Sequence, residues 1–541
     1  MPDFLPWVRD TLRIHVDLEP HGPVTDLPVP ASRCDAAFLQ SLAKVLPQDA
    51  ISRDDRMRVR HGHGHTLEEI YRARYEGFPR VPDVVLYPSS EAQVTGIVEA
   101  AVRHGACLIP FGGGTSVTDA LRCPPGETRT IASVDLRRMN RIRWIDPVNR
   151  IAEIEAGAVG RHIAAQLAEH GLTLGHEPDS VELSTLGGWI ATHASGMKKN
   201  RYGNIEDLLL DVRVVTPRGI VSRSEPGPRE SVSADPRRWL LGSEGGLGII
   251  TSALVRISPL PEVQAYGSVL FRGFDAGLAF LYELQRQGTP PASVRLMDNL
   301  QFRFGQALSP RRTGMAKLRS RLERAFVTGL RGFSPDAMVA CTLLFEGSRS
   351  EVAEQSKRVY ALARRHGGMR AGSANGARGY QLTFGIAYIR DFVMQHGVLA
   401  ESFETSISWS RAGELCSAVK RRVHAEHARL GLPGEAFISC RITQLYDTGV
   451  CIYFYLASYY KGVERPSEVF AELERAARAE VLAGGGSLSH HHGIGKLRAQ
   501  FLPDILSAPA LEWQRRIKQA VDPDNVFGSA NQALGGDTLA G

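Results

Sequence analysis

Short apolar runs separated by glycine and turn residues dominate the chain from residue 78 to about residue 256. Their β-branched content and their flanking turn residues predict strands. Two segments between them, 91–105 and 159–171, have apolar residues at helical spacing and end in glycine, which favours helices with a glycine C-cap. The strands are expected within residues 81–88, 106–114, 130–136, 141–146, 150–158 and 208–219. This alternation of strands and short helices predicts an α+β domain.

Pro259 and Pro261 separate this region from a second one with longer elements. Long helices are expected over residues 351–368 and 411–431, where the apolar pattern is helical. From Gly484 the chain is rich in glycine and histidine, and it ends in a helix and a turn. Further strands are expected within residues 268–274, 294–299, 338–347 and 449–460. We therefore predict four parts, which are a helical and irregular segment over 1–77, a first domain over 78–258, a second domain over 259–483 and a C-terminal segment over 484–541.

The composition is that of a globular protein. Of the 541 residues, 43% are hydrophobic and 23% are charged, which excludes a disordered chain or a coiled coil. The net charge of +6 is too small to indicate a nucleic-acid partner. No signal-peptide core and no run of about 18 apolar residues is present, so we expect a soluble, cytoplasmic protein without a transmembrane helix. The cysteines contain no CxxC pair, so we expect neither a disulfide framework nor a metal site from Cys34, Cys107, Cys123, Cys341, Cys416, Cys440 and Cys451.

The first candidate cofactor loop follows an apolar strand and contains three consecutive glycines. Such glycines let the backbone approach a ligand closely and turn its amides toward a phosphate. The spacing matches neither the GxGxxG pattern of dinucleotide-binding folds nor the P-loop of nucleoside triphosphatases. A plain tight turn is the alternative for this loop taken alone. Its residues are Pro110, Phe111, Gly112, Gly113, Gly114, Thr115 and Ser116.

Two further segments have the same small and hydroxylated character. Residues 177–209 can line a flat cofactor with backbone amides, although close packing between domains explains such a run equally well. Residues 242–250 form another glycine-rich turn that leads into a strand. The candidate cofactor contacts in the first segment are Asp179, Ser180, Val181, Glu182, Leu183, Ser184, Thr185, Thr192, His193, Ala194 and Ser195. Those in the second are Glu244, Gly245, Gly246, Leu247, Gly248, Ile249 and Ile250.

The order and spacing of the three glycine-rich segments resemble the flavin-binding domain of the vanillyl-alcohol oxidase family, the PCMH-type FAD-binding fold. The resemblance implies that the first loop holds the FAD pyrophosphate. It also implies that the later segments hold the isoalloxazine and adenine ends.

Motifs in the rest of the chain resemble the alkyldihydroxyacetonephosphate synthase (alkylglycerone-phosphate synthase) family. They include PASVRLMDN, TLLFEG, AYIRDF, CIYFYLASYY, SLSHHHGIGKLR and VDPDNVFG, and the likeness extends from about Leu5 to Phe527. Departures are Gly246, where the family often has threonine, and His193, where it often has arginine. We find no clear peroxisomal targeting signal. The resemblance implies an α+β, two-domain fold, with a PCMH-type FAD-binding domain and an α+β cap domain that carries an antiparallel sheet.

The same resemblance implies a transferase that exchanges the acyl group of acyl-dihydroxyacetone phosphate for a long-chain fatty alcohol. The product is the ether lipid precursor alkyl-dihydroxyacetone phosphate, and non-covalently bound FAD acts as a covalent trap rather than as a redox agent. An FAD-dependent oxidase or dehydrogenase of a 2-hydroxy acid or alcohol is the alternative, because an FAD domain alone does not determine the reaction. We also expect a homodimer and peripheral contact with a membrane.

Tyr453 is the candidate catalytic base. Alternate side chains of a strand share a face, so Tyr453 and Tyr455 lie opposite Ile452 and Phe454. A core tyrosine is the commoner role in a strand, and it is the resemblance that assigns catalysis to Tyr453. A tyrosine with an ordinary pKa of about 10 acts as a base only where nearby cations lower that pKa.

Three consecutive histidines, His490, His491 and His492, are the second candidate group. Consecutive side chains of an extended segment diverge, so these three alone do not suit a metal site. The resemblance assigns them to charge stabilisation and proton transfer beside the active site. A solvated turn is the alternative.

Arg390 and Arg295 lie in apolar stretches, where an isolated arginine is usually a paired structural residue. A phosphate suits a planar bidentate donor, and the resemblance places Arg390 at the substrate and Arg295 at a position needed for activity. His61, His63 and His65 share a face at a spacing of two, but no acid or thiol completes a metal site, so we expect structural roles for them.

Overall fold

Contacts within the chain divide it into two units, each with its own sheets. The structure is a computed structural model, and it describes residues 3–16, 19–223, 227–309, 314, 322 and 325–534. The large-sheet unit comprises Met1–Gly22, Met197–Arg201 and Pro261–His490. The glycine-loop unit comprises Pro23–Gly196, Tyr202–Leu260 and His491–Gly541. The chain therefore passes from one unit to the other five times.

Helices and strands alternate along most of the described residues. The α-helices are Phe4–Leu12, Ala36–Leu42, Asp55–Arg60, Leu67–Tyr75, Glu91–His104, Gly160–Ala168, Leu186–Thr192, Lys199–Tyr202, Ile205–Leu208, Arg237–Leu240, Phe274–Arg286, Asn299–Ala307, Arg349–Arg365, Ser373–Gln381, Ile386–Met394, Ala412–Arg429, Pro466–Ala483, Leu502–Ile505 and Ala508–Val521. Short 3₁₀ turns are Gln48–Ala50, Leu136–Arg138, Leu382–Gly385, Trp409–Arg411, Ala499–Phe501 and Gln532–Leu534, and Phe326–Leu330 is a π-helical turn. The strands β1 to β18 are, in chain order, Ile51–Ser52, Val84–Leu86, Cys107–Phe111, Ile131–Asp135, Ile142–Asp146, Ile151–Glu155, Leu172–Thr173, Leu209–Thr216, Gly219–Val221, Ile249–Arg256, Ser258–Pro259, Val263–Phe271, Ser293–Met297, Val339–Gly347, Met369–Arg370, Val398–Ser408, Phe437–Leu445 and Gly449–Tyr459.

Two larger sheets form the glycine-loop unit within the described residues. In the first, ordered β1-β2-β4-β3, strands β2, β4 and β3 are parallel. Parallel neighbours need a crossover, and helix Glu91–His104 lies on the chain between β2 and β3, with Ser90 as its N-cap and Gly105 as its C-cap. The second sheet is antiparallel in the order β5-β6-β10-β8-β9. Buried apolar residues from both sheets and their helices form one continuous core.

Seven strands of the described chain form the sheet of the large-sheet unit, in the order β15-β12-β14-β13-β17-β18-β16. All neighbouring strands are antiparallel. Successive side chains of a strand point to opposite faces, so Cys440 and Ile442 of β17 face one side and Arg441 faces the other. The sheet therefore has an apolar face and a face that carries polar side chains.

Helices cover both faces of this sheet. Helix Ala412–Arg429 packs on the apolar side, against Cys440. Helix Ser373–Gln381 lies on the polar side, where a methyl group at Gly379 would lie 2.6 Å from Cγ2 of Thr342. The polar side chains of the sheet are consequently buried rather than exposed to solvent.

The predicted α+β class is confirmed, and each predicted strand is present. The glycine cap expected at the end of segment 159–171 is wrong. Helix Gly160–Ala168 has Glu169 as its C-cap, and Gly171, with a φ of 67°, comes two residues later. The amides of His170 and Gly171 bond to carbonyls three residues earlier, and this tighter turn ends the helix before the glycine is reached.

The predicted N-terminal segment is shared between the two units, because Met1–Gly22 lies in the large-sheet unit and the following residues lie in the other. Its first helix packs Phe4 against Phe304, with ring centroids 5.8 Å apart, and Trp7 against Phe437 at 5.9 Å. Phe4, Val8, Leu12 and Val16 thus join the core of the large-sheet unit. The final residues of the predicted C-terminal segment, 535–541, lie outside the described residues.

Among the helices that the structure describes, none combines the length and apolar character needed to cross a membrane. All seven cysteines lie in the described residues and are free thiols, and only Cys34 is partly exposed.

His176 is a buried imidazole in the glycine-loop unit. It lies edge-on to Trp189, with ring centroids 4.8 Å apart, and neither of its ring nitrogens has a hydrogen-bond partner among the residues that the structure describes. Burial lowers the pKa of His176 from 6.5 to about 4, against a smaller opposite effect of the Glu206 carboxylate. The folded chain therefore holds this imidazole neutral, whereas the unfolded chain leaves it free to take up a proton.

We predict that His176 makes the glycine-loop unit sensitive to acid. Because its folded pKa lies below its unfolded pKa, its contribution to the free energy of unfolding is complete above pH 6.5 and is lost as the pH falls through about 4. His176→Asn should therefore show a smaller fall in Tm between about pH 7 and about pH 4.5 than the unmodified chain, measured by thermal unfolding. His170→Asn, at an exposed histidine of the same unit, should keep the original slope. Equal slopes for the unmodified chain and His176→Asn would contradict the prediction.

Candidate active site

Tyr453 lies near the middle of β18, in a row of three side chains defined by strand register. Glu404 on β16 and Arg441 on β17 are its direct partners on the two neighbouring strands, so all three side chains project from the same face. They are almost completely buried, with exposed fractions of 6% for Tyr453, 1% for Glu404 and 4% for Arg441. The guanidinium carbon of Arg441 lies 5.2 Å from the centre of the Tyr453 ring. A buried phenol thus has a cation on one neighbouring strand and a carboxylate on the other.

The predicted two-tyrosine face of β18 is present. The rings of Tyr453 and Tyr455 are stacked, with centroids 6.1 Å apart, and the Arg441 guanidinium carbon lies 5.1 Å from the centre of the second ring. Ile452 and Phe454 are completely buried on the opposite face. The alternation of the strand therefore separates a polar, aromatic surface from the apolar core.

Arg295 on β13 lies on the same face of the sheet and is also buried. Its guanidinium and that of Arg441 both donate to Oγ1 of Thr383, the second at 3.4 Å. The Arg295 guanidinium carbon also lies 5.1 Å from the centre of the Tyr380 ring. The predicted Arg295 and the unpredicted Arg441 are thus connected through a single hydroxyl group.

Arg390 is placed by helix Ile386–Met394 of the same unit. Its side chain is buried, and its Nε and Nη2 both donate to one carboxylate oxygen of Asp391 at 3.1 Å. A guanidinium presents its donors as a planar fork, which matches the oxygens of a phosphate. Arg390 is therefore a buried, ion-paired arginine with the donor set that a phosphate requires.

The histidine run is divided between the two units. His490 is the last residue of the large-sheet unit, and its Nε2 lies 2.6 Å from the hydroxyl of Tyr446. His491 and His492 begin the last segment of the glycine-loop unit, with their rings edge to face and 4.7 Å between centroids. His490 thus contacts Tyr446, whereas His491 and His492 contact each other.

The first glycine loop leaves the end of β3 and packs against the second candidate segment. A methyl group at Gly112 would lie 2.5 Å from Oγ1 of Thr185, and one at Gly113 would overlap the carbonyl group of Leu183. Gly114 has a φ of 71°, which glycine adopts without strain. Gly112 therefore makes room for a side chain, Gly113 for a neighbouring stretch of backbone, and Gly114 allows the turn, in a loop that is only partly buried.

The second candidate segment contains a turn followed by helix Leu186–Thr192. Thr185 caps this helix by accepting a hydrogen bond from the amide of Gly188 at 3.3 Å. Oγ of Ser184 accepts one from the indole of Trp189 at 2.8 Å. These two hydroxyl groups are used within the protein. The backbone of both residues is used as well, because the amide of Gly160 donates to the carbonyl of Ser184 and the amide of Trp189 donates to that of Thr185. The half-buried or exposed members of the predicted set are Asp179, Ser180, Val181, Glu182, Leu183, Thr192 and His193.

The end of this helix is fixed by polar contacts. His193, the C-cap, has a φ of 55°, and its Nε2 lies 3.3 Å from a carboxylate oxygen of Glu206. Oγ of Ser195 donates to Oδ1 of Asn204 at 2.5 Å. Residues Met197–Arg201 then lie in the large-sheet unit, so the segment predicted over 177–209 is split between the two units.

Glu244 connects the third glycine segment to the first loop and to the C-terminal segment of the same unit. Its backbone has a φ of 46°, and the next residue, Gly245, has a φ of 77° and lies against the ring of Pro110. The Glu244 carboxylate accepts hydrogen bonds from Oγ1 of Thr118 at 3.0 Å, the amides of Ile494 at 3.3 Å and Gly495 at 2.8 Å, and Nε2 of Gln532 at 2.6 Å. This carboxylate therefore has a structural role, and the rest of the segment, 246–250, is buried and leads into β10.

The alternating histidines near the N-terminus are structural. Both ring nitrogens of His61 are engaged, and Nε2 lies 2.8 Å from Oδ2 of Asp135. The ring of His63 is stacked on a phenylalanine ring, and the amide of His65 donates to the carbonyl of Ser116 at 2.6 Å. These residues support the first glycine loop.

Three residues of the site were missed by the sequence analysis, namely Glu404, Arg441 and Tyr446. On β17, Arg441 lies between the buried Cys440 and Ile442, so a period-two pattern marks it as facing the opposite way. Glu404 lies in a similar alternation on β16. Tyr446 follows the end of β17, and no sequence pattern marks it.

The glycine-loop unit fits a large cofactor that carries phosphate groups. Its first loop is partly exposed and lined with glycine, so backbone amides can approach a phosphate closely. The second and third segments are held against this loop by the contacts of Thr185 and Gly245. These three segments are the ones that would hold FAD.

Comparisons with protein families identify the cofactor. Residues 82–224 match the model described as FAD binding domain, and residues 260–531 match the model described as FAD linked oxidases, C-terminal domain. The two models together cover most of the chain, and they confirm FAD as the cofactor.

Full-length relatives identify the family. The chain is 42% identical to the alkyldihydroxyacetonephosphate synthase of Caenorhabditis elegans over 98% of this chain and 89% of the relative. It is 32% identical to the synthase of Trypanosoma brucei brucei over 90% of this chain and 79% of the relative. A solved alkyldihydroxyacetonephosphate synthase structure superposes with a TM-score of 0.83 at 26% identity, covering 96% of this chain and 92% of that one. These matches confirm the predicted fold class, and the chain belongs to the alkyldihydroxyacetonephosphate synthase family.

Proposed function

We propose that this chain exchanges the acyl group of acyl-dihydroxyacetone phosphate for a long-chain fatty alcohol. The products are alkyl-dihydroxyacetone phosphate and a fatty acid, whose proton comes from the alcohol, so the exchange involves no net oxidation. FAD-dependent synthase activity follows from family membership, and the assignment of roles to individual residues is our own proposal.

The observation that carries this proposal is the row of Glu404, Tyr453 and Arg441 on the large sheet. A phenol serves as a base where a nearby cation stabilises its anion, and Arg441 supplies such a cation 5.2 Å from the ring centre. We assign Tyr453 to the removal of a proton from C1 of the substrate. Glu404, on the other neighbouring strand, has a carboxylate beside Tyr453 that can accept a hydrogen bond.

Two arginines are assigned to the substrate side of the reaction. We assign Arg390 to the substrate phosphate, because its guanidinium is buried and presents a planar fork of donors. Arg295 shares the Thr383 hydroxyl with Arg441, and we assign it to holding that arginine beside Tyr453. The histidines His490, His491 and His492 are assigned to charge stabilisation and proton transfer.

The cofactor would be held by the three glycine-rich segments of the glycine-loop unit. Bound non-covalently, FAD supplies an electrophilic centre for the substrate carbon without net redox change. We assign the pyrophosphate to the backbone of the first loop, 110–116, and the ring systems to residues 179–195 and 244–250. Backbone groups carry most of these contacts, because the hydroxyls of Ser184 and Thr185 and the carboxylate of Glu244 bind other protein groups.

Both substrates are lipids, and we propose that the chain collects them at a membrane surface in the cytoplasm, as a homodimer. The π-helical turn Phe326–Leu330 supports surface contact, since Phe326 is 47% exposed and Leu330 is 77% exposed. Exposed apolar side chains of this kind bury readily at the boundary between headgroups and acyl chains.

One experiment separates this function from the oxidase alternative. The purified chain is mixed with acyl-dihydroxyacetone phosphate and a long-chain alcohol, and ether lipid is measured alongside oxygen uptake and dye reduction. Ether lipid formed without oxygen uptake or dye reduction supports the proposal. Oxygen uptake or dye reduction with a 2-hydroxy acid or alcohol, and no ether lipid, would refute it.

Gly113→Ala is expected to lose most of the bound FAD. The added methyl group would overlap the carbonyl of Leu183 and push apart the first loop and the segment that packs on it. FAD content is measured from the flavin absorbance of the purified protein relative to its protein absorbance. Gly126→Ala is the matched control, because a methyl group there meets nothing within 4 Å among the residues that the structure describes. Full FAD content in Gly113→Ala would argue against this loop as the cofactor site.

Arg390→Lys is expected to raise KM for acyl-dihydroxyacetone phosphate about tenfold or more and to leave FAD content unchanged. Lysine keeps the positive charge but lacks the two-pronged donor geometry that matches phosphate oxygens. Steady-state kinetics and flavin absorbance measure the two effects. A parallel loss of FAD and substrate affinity would instead indicate a structural role in the Arg390–Asp391 pair.

Tyr453→Phe is expected to fold, to bind FAD and to lose about 10²- to 10⁴-fold in kcat, the usual contribution of a positioned acid–base group. The change removes only the hydroxyl, so the packing of Ile452 and Phe454 on the other face is preserved. Exchange of the C1 hydrogen with solvent should stop together with product formation. The matched control is Tyr455→Phe, on the same face of the same strand, for which we expect a smaller loss. If the Tyr453→Phe enzyme kept more than about a third of the original kcat, Tyr453 would not be the base, and another residue would have to act as the base.

A further inference from the structure

Lys199 contacts the hairpin that joins β17 and β18. It lies in the short segment Met197–Arg201, which belongs to the large-sheet unit although the sequence before and after it belongs to the other unit. Its Nζ donates to the carbonyl of Leu445 at 2.7 Å and lies 3.7 Å from the centre of the Tyr446 ring. A cation at this distance is attracted to the face of an aromatic ring. Lys199 is therefore held against the hairpin by two interactions.

Tyr446 is fixed by its own surroundings. Its amide and carbonyl bond to those of Gly449 and close the hairpin, and its carbonyl also accepts from the indole of Trp409 at 2.9 Å. Its hydroxyl donates to Oε1 of Gln444 at 2.9 Å and lies 2.6 Å from Nε2 of His490. The hairpin thus fixes the position of the Tyr446 hydroxyl. That hydroxyl in turn fixes the position of the His490 imidazole through their hydrogen bond.

The proton count at this hydroxyl determines the tautomer of His490. A tyrosine hydroxyl has one proton, and Tyr446 donates it to Gln444, so the Tyr446 oxygen accepts the hydrogen bond from His490. The proton of the neutral imidazole then lies on Nε2. Nδ1 is then the unprotonated nitrogen of the neutral ring.

The residues before His490 are anchored to the strand next to Tyr453. Oγ of Ser487 accepts a hydrogen bond from the backbone of β16 at 2.8 Å, and Oγ of Ser489 donates to Glu404 at 2.8 Å. Glu404 is the direct strand partner of Tyr453. His490 is therefore held from two directions, by the Glu404 side and by the hydroxyl of Tyr446.

We propose that Tyr446 is a positioning residue that holds His490 as the Nε2–H tautomer, and that Lys199 locks the Tyr446 ring in place. This inference rests on the proposed function, because Tyr446 acts only through His490. It assigns to Lys199, in the segment 177–209, a role other than lining a cofactor.

Tyr446→Phe tests the hydrogen bond. Phenylalanine keeps the ring and its contact with Lys199, so only the hydroxyl is lost. We expect kcat to fall about tenfold, as for the loss of one positioning hydrogen bond, while KM stays within about twofold and FAD content is unchanged. Tyr460→Phe is the matched control, because the Tyr460 hydroxyl donates to the carbonyl of Met394 at 3.1 Å in the same unit, and its kcat should stay within about twofold.

Lys199 variants test the second half of the proposal. Lys199→Met should lower kcat about threefold or more, and Lys199→Arg should retain most of it, because arginine preserves a cation on the ring face. In the Tyr446→Phe background, Lys199→Met should cause no further fall, since the hydroxyl that it positions is already absent. Independent, additive losses would overturn the proposed connection.

The outcomes distinguish this inference from the function on which it rests. An unmodified chain without ether lipid synthesis would refute the proposed function. An active unmodified chain in which Tyr446→Phe leaves kcat unchanged would refute only the role of Tyr446. A Tyr446→Phe enzyme that loses FAD or shows a rise in KM as large as its fall in kcat would identify Tyr446 as a structural residue and would also refute the inference.

Discussion

Strand register in the seven-stranded sheet is the constraint on which the candidate active site depends. A shift of β18 by one residue would turn Tyr453 toward the apolar core and bring Phe454 to the polar face. Such a shift is prevented because Ile452 and Phe454 are completely buried on the other side of the strand.

The register also lowers the free-energy cost of burying charged side chains in this sheet. An isolated guanidinium or carboxylate is costly to bury, and the pairing of β16, β18 and β17 places Glu404 and Arg441 one strand away from Tyr453 on either side.

The glycine-loop unit has a comparable constraint at Glu244, whose carboxylate holds the C-terminal segment against the first loop region. Lys496 strengthens the same connection, because its Nζ donates to the carbonyls of Asp119 and Ala120 and to the side chain of Asn531, which uses all three of its protons. The loop and the C-terminal residues therefore form one structure. A change in either segment is expected to affect the other.

The features that the sequence predicted are the local ones. Strand positions, the three glycine segments and the two faces of β18 follow from residue type and short-range spacing, and the structure has them. Contacts between distant residues could not be predicted in this way. Glu404 and Arg441 become neighbours of Tyr453 only through the pairing of three strands, and Tyr446 meets His490 across 44 residues of sequence. The split of segment 177–209 was missed for the same reason, because the contacts of Lys199 are made with residues near position 445.

Along the chain, the histidine run lies between a residue anchored to Glu404 and residues anchored to Glu244. Ser489, just before it, is bonded to Glu404 in the large-sheet unit, and Ile494 and Gly495, just after it, are bonded to Glu244 in the glycine-loop unit. Each end of the run is therefore held by the unit to which it belongs, and an anchored end has few backbone conformations left to lose when a substrate binds. Such preorganisation is what proton transfer requires, since a misplacement of about 1 Å can cost about 10²-fold in rate.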